Sequence, residues 1–343
     1  MKKSLIALAV LAASGVASAQ STVTLYGLVD IYAGSTKVEQ GGASARNSVI
    51  NGGGLNTSRF GLKGSEDLGG GLKANFVLEA GFDPSTGVQN NYTNPYTGVT
   101  SNSTFGRQSW VGLSGGFGEV KLGKMWTPYD EVKGSGAAGF DANIFAPATN
   151  VWLSNNYQDR PGNSVYYSTP SLAGFSAAAL YSLGENKTAT VDAGKIASVN
   201  LAYAGGPFAA AVSYQTEKAT GNATTGKYTQ VNGSYDFGIV KLLAAYGRVK
   251  DVLPTVNKTN EYQIGLDFPV NSVFTISGGY AHSKDDNNVG GDTTRKGFGL
   301  AGLYALSKRT NLYAGLNTSK GEFPAGTPDL KIRTYAAGVR HTF

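Results

Sequence analysis

Cysteine is missing altogether from this 343-residue chain, and with it any disulfide or thiolate metal site. An exported chain of this kind must be held together by something other than a small stapled core. Histidine is almost missing: His282 and His341 are the two present. Each stands alone, without ligand partners at the spacing a zinc site uses. They also give no basis for a converging Ser/His/acid set. Beyond the first twenty positions no apolar run reaches the ~18 residues of a membrane-spanning helix. Methionine occurs only twice, and Leu, Ile and Val do not cluster at helical spacing. No Pro/Ser-rich linker or change of composition divides the chain. Its length would suggest two soluble domains, but one large unit fits better.

The N-terminus gives an address. Lys2 and Lys3, the apolar run Leu5 to Val16 and the small-x-small triplet Ala17-Ser18-Ala19 form a secretory signal peptide over residues 1–19. A short membrane anchor is the rival reading, but the run is too short to span and ends in a cleavage-type site. The mature chain then covers 20–343. Losing Lys2 and Lys3 lowers the formal charge from +6 to +4 (6 − 2).

What is abundant is glycine (48), tyrosine (19) and phenylalanine (15), with many Asn, Ser and Thr. That is the composition of a large all-β protein with many turns. Ser21–Ala33 alternates, with Val23, Leu25, Gly27, Val29 and Ile31 on one face and Thr24, Tyr26, Leu28, Asp30 and Tyr32 on the other. The polar, glycine-rich stretch Gly34–Gly54 reads as a loop. In Ser58–Lys63, Phe60 and Leu62 point one way and Arg59 and Lys63 the other. After the tight turn Glu66–Gly71, the apolar face Leu72, Ala74, Phe76, Leu78, Ala80, Phe82 opposes Lys73, Asn75 and Glu79.

A soluble sandwich hides its apolar faces against each other. A transmembrane barrel turns them to lipid in segments of about ten residues and keeps polar residues inside. Short turns near residues 67–71, 115–118, 169–174, 205–207, 236–238, 269–272 and 307–309 alternate with long polar loops near 34–55, 84–103, 126–160, 184–195, 218–227, 251–258, 284–294 and 320–331. Short turns at one end and long loops at the other are the outer-membrane pattern. The count predicts an all-β, sixteen-stranded antiparallel transmembrane β-barrel, wide enough for an aqueous channel. The last strand, Ile332–Phe343, is expected to pair with the first so that no edge meets lipid. Tyr26, Tyr32, Phe82, Trp110, Tyr181, Tyr203 and Tyr214 are candidates for the interfacial girdles.

Trp126–Arg160 breaks the alternation. It holds Pro128, Pro147, three glycines, two tryptophans and the acids Asp130, Glu131 and Asp141. Long structureless loops are usually functional or disordered, and this one has too many aromatics for disorder. Inside a wide barrel, it can pack against the inner wall.

Other motifs fall away in context. Gly112–Gly116 matches the nucleophile elbow, but strand and tight turn replace the strand-to-helix turn it needs. Gly297–Gly302 matches a dinucleotide fingerprint, yet it sits inside an alternating strand. Asp285, Asp286, Asn287, Asn288 and Asp292 could offer oxygens to Ca2+, but a solvated loop is the simpler reading. The basic excess is small and spread over strands, which argues against nucleic acid. No cofactor is indicated, and no enzyme.

The segments VTLYGLVD, SRFGLKGSEDLGGGLKANFVLEAGFD, RQSWVGLSGGFGEVKLGK, NSVYYSTPSLAGF and the terminal GVRHTF resemble those of general porins of Gram-negative outer membranes, in the branch of Burkholderia- and Neisseria-like bacteria. The resemblance covers essentially the whole mature chain. It implies a homotrimer in outer-membrane lipid and lipopolysaccharide, passing small ions and hydrophilic solutes by diffusion. It implies that the third long loop, 126–160, folds into the barrel and narrows it. Matched by motif, Arg59, Arg107 and Arg160 are the wall arginines of the constriction, Glu79 lies near them, and Asp130 and Asp141 are the loop acids. Lys63 and Lys73 are weaker lining candidates. Alternation puts Arg59, Lys73 and Glu79 inside. Arg107 shares the parity of Val111 and Leu113, which would send it outward, and only the resemblance places it inside. A net positive wall leads to the expectation of weak anion preference. Rival readings are a substrate-specific anion channel and an outer-membrane adhesin or enzyme barrel.

Overall fold

The computed structural model describes residues 22–90, 92–93, 100–134, 143–184, 187–221, 225–287 and 290–343. The signal-peptide reading of residues 1–19 and the loop acid Asp141 lie outside the described residues.

In chain order the strands are β1 (Thr22–Gln40), β2 (Ala43–Gly52), β3 (Arg59–Gly69), β4 (Leu72–Gly81), a two-residue pair β5 (Tyr92–Thr93) and β6 (Thr100–Ser101), β7 (Gln108–Gly115), β8 (Gly118–Lys124), β9 (Ser164–Ser168) and β10 (Phe175–Ser182). They continue with β11 (Lys195–Gly205), β12 (Phe208–Lys218), β13 (Thr225–Asp236), β14 (Lys241–Lys250), β15 (Val256–Pro269), β16 (Phe274–Asn287), β17 (Thr293–Ala305), β18 (Thr310–Glu322) and β19 (Leu330–Thr342). Among the described residues, a short helix, α1 (Pro128–Lys133), and a 3-10 turn at Leu153–Asn156 lie between β8 and β9.

Apart from β5 and β6, each strand pairs antiparallel with its neighbours, and β19 returns to β1. Of the 17 strands in this sheet, β2 and β3 lie end to end along β1, so the ring has sixteen staves (17 − 1). The seam is tight. Gly27 and Phe343 exchange backbone hydrogen bonds of 3.1 and 3.0 Å. The Phe343 ring lies where a Cβ on residue 27 would sit, 2.5 Å from it, so only glycine fits there.

Polarity is inverted relative to a soluble protein, as alternation predicts. On β15, Tyr262, Ile264 and Leu266 face outward while Glu261 and Gln263 face inward. Ile264 is 59% exposed and Glu261 not at all. On β11, Val199 and Leu201 face out, and Ser198 and Asn200 face in.

Three expectations need correction. First, Gly34–Gly54 is not a loop. β1 continues to Gln40, turns at Gly41-Gly42 and returns as β2. This hairpin rises beyond the apolar band, so both faces are polar and the alternation fades while the backbone ladder continues. Second, Tyr26, Tyr32 and Trp110 are not girdle residues. Tyr26 donates to Glu79 (3.0 Å), Tyr32 packs against the lumenal cluster around Tyr313, and Trp110 lies under Lys121. Strand parity, not aromatic character, sets their direction. Third, Asp285 is not a solvated loop residue: it lies buried on β16 and pairs with Arg295, whereas the side chains of Asp286 and Asp292 stay exposed beside Lys258 and Lys284, and Asn288 lies outside the described residues.

The second stave also carries an inward bulge that alternation does not reveal. From Leu28 to Ile31 on β1, its partners advance from Arg59 back to Gly52, so four extra residues are accommodated ((59 − 52) − (31 − 28)). The buried carboxylate of Asp30 accepts from Leu55 N (2.9 Å) and Asn56 N (2.7 Å), which folds the bulge into the lumen.

Replacing Ile264 with arginine puts a cation against the apolar band, at a cost of about 2–4 kcal/mol near the bilayer midplane. Urea unfolding in lipid vesicles should show that loss for Ile264→Arg and almost none for Ile264→Leu. Equal stability of the two would contradict the outward assignment.

Candidate functional site

The segment between β8 and β9 is described over residues 125–134 and 143–163, and both parts lie inside the barrel. Locally, Thr127 caps α1 by accepting from Asp130 N, and Pro128 occupies its first turn, where a missing N–H costs nothing. The loop's backbone groups find partners on the wall. Tyr129 N donates to Ser198 Oγ (3.0 Å), and Asn200 and Asn232 donate to the carbonyls of Pro128 (2.8 Å) and Val132 (2.7 Å). Gln158 N donates to Glu217 (2.7 Å), and Leu153 N and Ser154 N share Glu261 Oε1. Asn317 donates to Ala146 O (2.8 Å), and the bulge carbonyls of Leu55 and Gly54 accept from Asn143 N and Ile144 N. A buried backbone group left unpaired is costly, so these wall residues determine the loop's path.

Apolar contacts complete the seat. Phe145 is fully buried and meets Tyr313 edge-on at 6.0 Å; Tyr129, Tyr157 and Tyr228 form an edge-to-face trio at 4.9–6.2 Å. Gly299 makes room, because a Cβ there would meet Phe145 O at 1.9 Å.

Beside the loop's two ends is a charged cluster. Glu79 on β4 is buried and takes Arg107 Nε at 2.7 Å, Arg59 Nε at 3.5 Å and the Tyr26 hydroxyl. The Trp126 ring is approached by two guanidinium groups, Arg107 at 5.5 Å and Arg160 at 4.3 Å from its centroid. Arg160 also pairs with Asp159 (3.0 Å), keeps Nη1 without a protein partner, and has its carbonyl bound by Lys124. Together with Asp130, Lys133, Asn56 and Tyr157, these arginines line a polar cavity of about 390 Å3. A second cavity of about 580 Å3 adjoins it, lined by Lys133, Asn143, Asn155, Gln263 and Arg295.

The structure therefore brings Arg59, Arg107, Arg160, Glu79 and Asp130 together. Of the three arginines expected on the wall, only Arg59 is on a strand. Arg107 directly precedes β7 and Arg160 lies four residues before β9, at the loop's own end. The strand rule does not bind a residue outside the strand, so Arg107 turns inward while Val111 and Leu113 face out. Asp130 accepts from the Tyr157 hydroxyl. Its neighbour Glu131 turns away to the Tyr166 hydroxyl (2.9 Å); burial raises its pKa, partly offset by that hydrogen bond. Lys63 stands over the Tyr26 ring (5.2 Å), one step removed from the cluster. Lys73 lies opposite Ser114 near the short turns, six residues or roughly 20 Å along β4 from Glu79. Sequence reasoning missed Trp126 as a stacking plate, Asp159 and Lys124, and it did not link Tyr26 to Glu79. Their roles depend on contacts between distant segments. Only the shared inward parity of Tyr26 and Asp30 was available as a signal.

Comparison with known proteins gives a consistent result. The profile described as Gram-negative porin matches residues 5–323. The chain is 37% identical to outer membrane porin protein 32 of Delftia acidovorans over 82% of this chain and 80% of that protein. It is 33% identical to an outer membrane porin protein of Bordetella pertussis over 88% and 89%. Among solved structures it is similar to the anion-selective porin from Comamonas acidovorans, with a TM-score of 0.76 and 29% identity, covering 94% of this chain and 100% of that one.

Substituting Glu261 tests how the loop is held. Glu261→Ala leaves Leu153 N and Ser154 N without an acceptor, a loss of about 1–3 kcal/mol per group. Hydrogen exchange at these two amides should accelerate roughly tenfold or more, with β11–β13 unchanged. Unaltered exchange at Leu153 and Ser154 would show that Glu261 does not anchor the loop.

Proposed function

Because the chain belongs to the Gram-negative porin family and forms an outer-membrane channel, we propose that it passes small hydrophilic solutes and ions by passive diffusion, with a weak preference for anions set where the loop meets the wall. The observation that carries this reading is the state of Glu79. Its carboxylate is buried and occupied by two arginines and a tyrosine, whereas Arg59 and Arg160 retain exposed surface toward the cavity. The side chains presented to a passing ion are therefore mainly cationic. Rings of charged side chains set selectivity in pores. The arginine–tryptophan contacts help hold the guanidinium groups in place, that of Arg160 beside Asp159.

The loop supplies the size limit. It is fastened at many points to inward Ser, Asn, Gln and Glu side chains, so the opening it leaves is fixed rather than variable. The channel binds nothing covalently and uses no energy source. In the membrane it is a homotrimer, with lipopolysaccharide among its surrounding lipids. That the similar solved protein is an anion-selective porin supports the charge sign proposed here. Saturable block of conductance by one anion would instead favour a substrate-specific channel.

The reversal potential of the purified protein in a planar bilayer under a KCl gradient tests the mechanism. The intact channel should be anion-selective, and Arg59→Ala and Arg160→Ala should each reduce that preference. Arg107→Ala should reduce it as well, with an added effect from the unpaired Glu79 carboxylate. Cation selectivity of the intact channel, or selectivity unmoved by all three changes, would contradict the charged-cluster mechanism.

A further inference from the structure

The larger of the two lumenal cavities, about 580 Å3, is chemically one-sided. Among the described residues no carboxylate lines it. Arg295, the third residue of β17, reaches it from the long-loop end of the wall. Asp285 takes both terminal nitrogens of that guanidinium (2.9 and 2.7 Å), yet Asp285 is itself 1% exposed, so the cationic member of the pair is the one presented. Lys133 comes from the loop, and its contacts are neutral: Asn155 Oδ1 at 2.8 Å and the Tyr157 ring at 5.0 Å. Beside these cations the loop exposes four asparagines, Asn143, Asn150, Asn155 and Asn156. Asn143 and Asn155 donate to the carbonyls of Gly53 and Ala148, each at 2.9 Å. Asn150 and Asn156 make no side-chain hydrogen bond among the described residues. Ala146, Val151 and Leu153 add apolar lining to the same cavity.

We propose that this cavity is a weak binding station for a sugar acid, a monosaccharide ring that carries one carboxylate. The inference rests on the channel reading above and adds a solute class to it. Each feature of the cavity selects one part of the ligand. A carboxamide offers a donor and an acceptor side by side, as a sugar hydroxyl does, so unengaged asparagines match a polyhydroxylated solute. Lys133 and the presented edge of Arg295 match a carboxylate. One of these cations is already paired with Asp285, which suits a single negative charge better than a polyanion. The apolar residues suit the C–H face of a pyranose ring. The volume lies within the roughly 300–1,000 Å3 of small-molecule sites. Lys133, Asn143 and Asn155 also line the 390 Å3 cavity of the arginine cluster, so a bound acid can move on toward Arg160 without leaving cationic surroundings. A station in a pore must release its solute, and exposed side chains that hold it by a few hydrogen bonds meet that condition.

The test titrates the full-length protein in detergent with glucuronate, glucose and cyclohexanecarboxylate, with binding followed by saturation-transfer NMR and the signal of empty micelles subtracted. Glucose keeps the hydroxyls without the charge; cyclohexanecarboxylate keeps the ring and the charge without the hydroxyls. Glucuronate should bind roughly tenfold more tightly than either. Asn150→Ala/Asn156→Ala should weaken glucuronate by roughly tenfold, the effect of losing two hydrogen bonds of ordinary strength, and leave cyclohexanecarboxylate as it was. Lys133→Gln should weaken both acids and leave glucose as it was. Equal affinity for glucuronate and cyclohexanecarboxylate would overturn the proposal, because the hydroxyls would then be unread. Equal affinity for glucuronate and glucose would overturn it as well, and so would undiminished glucuronate binding by the double variant. If that variant fails to fold, the three solutes on the unaltered protein decide. Conductance and reversal potential in KCl, which the double variant should leave unchanged, are measured separately. Their failure in the unaltered protein would count against the channel reading, whereas the affinity series decides the sugar-acid station.

Discussion

A backbone N–H or C=O that meets hydrocarbon has no water to pair with, so each strand in such surroundings needs a partner on both sides. Closure of β19 onto β1 meets that requirement, and much else follows from it. Closing the sheet commits one face to lipid and the other to the interior. The alternation of Ile264 and Leu266 against Glu261 and Gln263 is then the only pattern that satisfies both. The interior becomes a surface rich in hydrogen-bonding side chains, not an apolar core.

That polar interior is what allows a non-repeating loop to lie inside the barrel. Residues 125–134 and 143–163 contribute backbone donors and carbonyls, and the wall answers with Ser198, Asn200, Glu217, Asn232, Glu261 and Asn317. The bulge at 53–58, held by Asp30, extends the seat from the opposite direction. The loop ends where Arg59, Arg107 and Arg160 gather about Glu79 and Trp126. On the proposed mechanism, selectivity and size limit share one support, so loosening the loop would alter both.

The same alternation continues above the lipid band with different residues. There the ladder persists while the outward positions become basic, from Lys37 to Arg333. The inner charges face what passes through the channel, and the outer ones face what surrounds it.

Taken by itself, the sequence determined the class of fold, because alternation, turn spacing and the lack of long apolar runs are local properties. It also oriented Arg59 and Glu79, which sit in strands where parity decides direction. It misjudged Gly34–Gly54, since pairing above the membrane leaves no hydrophobic signature, and it misread Tyr26, Tyr32 and Trp110 by taking residue type over parity. Only the tertiary structure decided the rest. Arg107 turns inward because it lies just outside a strand, Trp126 becomes a ring that two arginines approach, and Asp30 folds a bulge that Asn143 and Ile144 then grip. Each of these depends on contacts between segments far apart in the chain, and such contacts exist only once the sixteen staves have closed into a ring.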